Sequence, residues 1–170
     1  MIEQHILDDC LFQLRKLKSQ ADKAMAQVDD GQFFALIDED ANSIALIVKH
    51  VSGNMRSRWT DFLTTDGEKP DRHRDTEFER GPGETRETIL ARWEAGWNVL
   101  FGAITSLTPA DLGKTVTIRN EPHTVVQAIN RQLSHYSAHV GQIVLLAKHF
   151  AGRGWKTLSI PKKQNRRVGE

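Results

Sequence analysis

Cysteine is nearly absent: Cys10 is the one copy, so no internal disulfide can form. Its neighbours Leu7, Leu11 and Leu14 mark it as one core position of a helix, a small buried hydrophobe rather than a reactive thiol. A dominant charge is missing too, since 23 Lys and Arg against 22 Asp and Glu leave a formal +1. So weak a field gives no reason to expect nucleic acid or a membrane surface as a partner. No apolar run approaches the roughly 20 residues of a membrane span. The start, Met1-Ile2-Glu3-Gln4-His5, has an early acid and no apolar signal segment. A soluble protein of the reducing cytoplasm is the expectation. Its 170 residues suffice for one domain with a proper core and are few for two.

What is present is helical periodicity. From Glu3 to Val28, Ile6, Leu7, Cys10, Leu14, Leu17, Ala21, Ala24 and Met25 recur at three- and four-residue intervals, and Gly31 is expected to stop that helix. A second helix is predicted from Asn42 or Ser43 through Ile47, Val51, Met55 and Phe62 to Asp66-Gly67, after a connector over 32–40. The polar stretch 64–83 has almost no apolar periodicity; a loop of that length either covers a site or stays in solvent. The third helix, 84–107, buries Ile89, Trp93, Trp97, Leu100 and Ile104. Thr108-Pro109-Ala110-Asp111 reads as a capped turn, and 114–119 alternates like a short strand. Thr124-Val125-Val126-Gln127 is a capping box opening a fourth helix, which Gly152 ends near Ala151. The fold expected is an all-α four-helix bundle with a short extended or hairpin segment before the last long helix. Residues 1–161 form the domain and 162–170 a mobile basic tail.

His135 and His139 lie four apart on the fourth helix, so their rings project from one face and can grip one ion. Helix phase puts them on the flank of the arc Leu133, Tyr136, Val140, Ile143 and Ala147, beside Gln132 and Gln142. On the second helix His50 shares a face with Asn54 and Arg58. Buried without partners, these groups would cost about 1–3 kcal/mol each, and more for the charge. Two arrangements satisfy them: a metal with hydrogen-bonded surroundings, or hydrogen bonds between helices. Three imidazoles suit Zn, Ni or Fe better than Mg or Ca.

Several chemistries are excluded by what the segments lack. His135-Tyr136-Ser137-Ala138-His139 has no glutamate after its first histidine, as a zinc protease of the H-E-x-x-H type requires. Neither long core helix carries the Glu-x-x-His motif of a di-iron bundle. There is no P-loop, dinucleotide fingerprint or G-x-S-x-G nucleophile turn.

The stretches Lys49-His50-Val51-Ser52-Gly53-Asn54-Met55-Arg56-Ser57-Arg58-Trp59 and His135 to Gln142 resemble the DinB/YfiT-like superfamily of bacterial metal-binding four-helix bundles. The loop Asp66-Gly67-Glu68-Lys69 through Arg74-Asp75-Thr76-Glu77-Phe78 and the terminal Leu158-Ser159-Ile160-Pro161 look like one branch of it without an assigned activity, so the likeness spans nearly the whole chain. The resemblance implies that His50, His135 and His139 bind a divalent transition metal, and that the protein is a homodimer. Ala138 stands where many relatives have a second histidine beside His139. Some members are similar to S-transferases that use low-molecular-weight thiols of the bacillithiol or mycothiol type, and others resemble amide hydrolases. Three protein ligands leave a coordination position for substrate, where a metal lowers the pKa of a bound thiol or water. Asn54, Arg58 and Gln142 are expected to orient ligands or a small-molecule substrate, with Arg74 and Glu77 in a lid. The alternative is a non-catalytic stress-response or structural module in which the ion only ties helices together.

Overall fold

Ser43, Thr85 and Thr124 each stand immediately before a long helix, in extended backbone, with the side-chain oxygen accepting an otherwise unpaired amide of the first turn. Around these caps the computed structural model, which describes residues 2–160, is mostly helical, with a small antiparallel hairpin. Among the described residues the α-helices are α1 (Ile2–Met25), α2 (Asp30–Phe34), α3 (Ile44–Trp59), α4 (Arg86–Thr105) and α5 (Val125–Ala151). The four long ones form a closed ring in which α1 packs on α4 and α5, and α3 packs on the same two. Their apolar stripes meet in one core, with Leu14, Met55, Trp93, Trp97, Tyr136 and Ile143 almost wholly buried. No described helix is long and apolar enough to cross a membrane.

The helix ends depart from expectation in two places. Gly31 does not stop α1, which ends at Met25; Gly31 lies inside α2, a short helix opened by a capping box between Asp29 and Gln32. That box straddles the expected end of the first helix and the start of the expected connector, and it opens only one and a half turns. The helix α3 ends at Trp59 rather than running to Asp66-Gly67. Thr60 is extended and Asp61 takes a left-handed φ of 49°, so the chain turns away while Phe62 still reaches the core against Trp59. At the other end of the chain, Gly152 stops α5 with a φ of 53°. The expected tail 162–170 lies outside the described residues.

The polar stretch after α3 is packed onto that helix instead of standing in solvent. Asp66 accepts the backbone amides of Glu68, Arg119 and Asn120 at 2.7–2.9 Å. Arg119 and Asn120 are the two-residue turn of the hairpin formed by β1 (Thr115–Ile118) and β2 (Glu121–Thr124), and both have positive φ. Such a turn matches the twist of the flanking strands, and the Asp66 carboxylate offsets the strain of placing non-glycine residues there. The loop's far end is held by Lys49, which donates to Glu79 O at 2.8 Å and pairs with Glu84 at 2.9 Å. Between the anchors a 3-10 turn, Arg74–Phe78, lies on α3 and carries Glu77 inward.

Candidate metal centre

Because α3 and α5 are neighbours, the polar flank of each helix meets the other. His50 is 5% exposed, and the rings of His135 and His139 are half-buried. The Nε2 atoms of His50 and His135 are 3.4 Å apart, and those of His135 and His139 are 3.1 Å apart. One nitrogen from each of the three rings lies within 4.8 Å of the others. Ligands about 2.0–2.1 Å from a tetrahedral ion stand about 3.3 Å from one another, so the donor set fits a transition metal in both chemistry and span.

The outer nitrogens fix which face of each ring carries the lone pair. His50 Nδ1–H donates to Glu77 Oε2 at 2.8 Å, and His139 Nδ1–H donates to Gln142 Oε1 at 2.8 Å. With the proton held on Nδ1, the neutral rings turn Nε2 lone pairs toward a common point. His135 Nε2 sits between them and could donate to only one, while its Nδ1 is buried without a partner among the described residues. A chain of hydrogen bonds would therefore leave an acceptor unsatisfied, whereas a cation at the common point would satisfy all three. Burial depresses the His135 pKa to about 3, helped by the repulsion that a charge on it would meet from any charge on His139 and His50 and from the guanidinium groups of Arg72 and Arg58. The ring is thus in its ligand form at neutral pH. His139 is lowered as well, by burial first and His50 second, against the opposing hydrogen bond to Gln142.

Glu77 is itself held. Arg72 grips it with Nε and Nη2, both at 2.9 Å, and reaches Glu68 with Nη1 at 3.2 Å. Burial tends to raise the Glu77 pKa, but the bonds from His50 and Arg72 outweigh it and leave the carboxyl below its usual range. Access to His50 depends on Gly53, one turn on along α3: a Cβ there would run into the Glu77 carboxylate. Phe78 closes the same side, its ring centroid 4.8 Å from that of His50.

The other residues singled out from the sequence fall into three environments. Asn54 makes no hydrogen bond to the histidines among the described residues; its Oδ1 accepts from Tyr136 Oη at 2.9 Å, and that hydroxyl accepts from Trp59 Nε1 at 3.0 Å. Arg58 is 3% exposed and faces, with Asn54, His50 and His135, a cavity of about 200 Å³. Arg74 is exposed, lies over the Phe78 ring at 4.9 Å and borders the same cavity. Glu77, expected in a lid with Arg74, is instead buried against a histidine. Sequence reasoning missed Arg72, Gly53 and the arginines Arg119 and Arg131 that also border the cavity. Arg72 left a trace in the charged run Asp71-Arg72-His73-Arg74, which has no periodicity to say which members turn inward.

A family model described as "Protein of unknown function (DUF1572)" matches residues 2–164. No curated protein matches the chain.

Proposed function

We propose that this chain, which belongs to the DUF1572 family, is a four-helix bundle of the DinB/YfiT-like kind that binds one divalent transition metal through His50, His135 and His139 and uses it to activate a small thiol for transfer to an electrophilic acceptor. The observation that carries this reading is the convergence of three Nε2 atoms whose outer nitrogens are tied to Glu77 and Gln142. A bound divalent metal acidifies a coordinated thiol so that it is a nucleophile at neutral pH. His50 is oriented by Glu77, and Arg72 keeps that carboxylate ionised and in place. His139 is oriented by Gln142 at the mouth of the site. Zn, Ni and Fe all suit three imidazoles.

Thiol transfer is favoured over amide hydrolysis by the state of the carboxylates. Hydrolysis draws on a general base free to take a proton from water. Glu77, the carboxylate in contact with a histidine of the cluster, is already engaged by Arg72 and His50, and Glu68 is shared among arginines. A thiol needs no such base once its pKa has been lowered.

Elemental analysis of protein purified without added metal or chelator, beside the His50→Ala variant, tests the site. About one equivalent of a transition metal in the wild type and little in the variant supports it; equal contents refute it. The reaction is tested by incubating metal-loaded protein with low-molecular-weight thiols and an electrophilic acceptor. Metal-dependent consumption of the thiol, absent in His139→Ala, is the expected result. If no thiol or amide reacts and His139→Ala loses folding stability, the ion is structural and the enzymatic reading fails.

A further inference from the structure

The cavity beside the three histidines is lined by five arginines, Arg58, Arg72, Arg74, Arg119 and Arg131, together with Gln132. Two carboxylates are shared among three of these guanidinium groups. Glu68 accepts from Arg72 at 3.2 Å and Arg119 at 3.0 Å and stands 3.8 Å from Arg58, while Glu77 is gripped by Arg72 alone of the five. Among the described residues Arg74 has only exposed Asp75 as an ionic partner, 3.7 Å away, and Arg131 donates to the imidazole of His123 at 3.2 Å. No carboxylate lines the cavity among the described residues. Positive charge is therefore in excess at a recess that opens onto His50 and His135.

Arg58 makes the excess costly. Its side chain is 3% exposed, yet Nε and Nη1 have no hydrogen-bond partner among the described residues, and Gln132 Oε1 is likewise buried without one. A buried guanidinium with unused donors is destabilising unless something completes it. Planar, forked donors match carboxylate and phosphate oxygens, and a recess of one sign draws such ions in.

We propose that this cavity is an oxyanion subsite: it takes the carboxylate or phosphate group of a small acidic substrate and sets the reacting part of that molecule beside the three histidines. The assignment rests on the metal-centre reading for its catalytic purpose, but the subsite itself is built from arginines that are not among the ligands. It names the substrate class as an anionic metabolite and predicts that neutral analogues are poor substrates.

Calorimetric titration with inorganic phosphate and, separately, acetate tests this, using both zinc-loaded and chelator-stripped protein, with metal content measured on the same samples. At least one anion is expected to bind in both states, and the tighter of the two identifies the group recognised. The double variant Arg119→Gln/Arg131→Gln, altered at exposed positions, should weaken that binding roughly tenfold or more. Arg58→Gln, checked for retained helicity by circular dichroism, should weaken it too. Unchanged affinity in the double variant overturns the proposal, as does failure of both anions to bind. Binding that requires zinc and ignores the arginines also overturns it, because the anion is then only a metal ligand. Since the stripped protein reports on the arginines alone, absence of metal binding would refute the metal centre without deciding the subsite.

Discussion

The two pairs of helices that make this molecule bury different chemistry. Inside α1 and α4 the buried residues are apolar or glycine: Leu7, Cys10, Leu14 and Met25 on one, Ile89, Trp93, Gly96, Trp97 and Leu100 on the other. Inside α3 and α5 the same core is interrupted by His50, Asn54, Arg58 and Gln132, with His135 and His139 on the flank. Apolar burial stabilises by about 25 cal/mol per Å², whereas a buried guanidinium lacking partners works against the fold. Both pairs therefore gain stability from apolar burial, and the second gives up part of that gain to its buried polar groups. The two should be separable by mutation.

The largest effect on stability is expected from the first pair. Trp97→Ala removes a fully buried indole and should cost about 3–5 kcal/mol in chemical denaturation, while the fraction that stays folded keeps its metal stoichiometry. A loss of metal from that folded fraction would show that the pairs are not independent. On the other pair, His139→Ala should abolish stoichiometric metal in elemental analysis yet shift the metal-free denaturation midpoint little, because the ring is half-buried and its partner Gln142 is exposed. Glu77→Gln keeps the shape of the side chain but weakens the hold on the His50 Nδ1 proton. Competition with a chromophoric chelator should read a fall of about 10- to 100-fold in metal affinity.

Gly53→Ala sharpens the contrast, because the same change has opposite expected signs in different places. In an ordinary helix interior it stabilises by about 0.8–1.0 kcal/mol. Here the new methyl displaces the Glu77 carboxylate, so thermal stability should fall rather than rise and metal affinity should fall with it. The smallest effect belongs to the turn that follows α4, away from the histidines. Asp111 accepts from the Thr108 amide and hydroxyl, each at 2.7 Å, and pairs with Lys114, which together hold its carboxyl well below the usual range. A depressed folded pKa contributes stability that is complete above the unfolded value and lost as the pH falls below about 4. Asp111→Asn should therefore lower stability slightly at neutral pH, leave it nearly unchanged in strong acid, and so flatten the acid limb of the stability profile.

Much of this architecture was legible along the chain because it is written in local intervals. Ser43 and Thr124 cap helices by reaching amides three residues on, and the stripe on α4 repeats every turn, whereas the cap at Thr85 emerged only in the structure. The pairing of His135 with His139 is of the same kind, one turn of one helix. His50 could be placed on a polar face of α3, but not against α5, 85 residues away from His135 in sequence.

What only the tertiary structure decided are the relations between segments that no interval encodes. Glu77 comes to His50 across 27 residues because Asp66 ties the loop to the hairpin turn and Lys49 ties its other end to α3. Arg119 joins Glu68 across 51 residues by the same folding of the loop, bringing arginines from α3, the loop, the hairpin and α5 around one recess. A sequence determines by itself what each turn of helix can present, since backbone geometry repeats. Which presented groups meet depends on how the helices and the loop pack, and it was that packing which brought three scattered histidines and five dispersed arginines into neighbouring clusters.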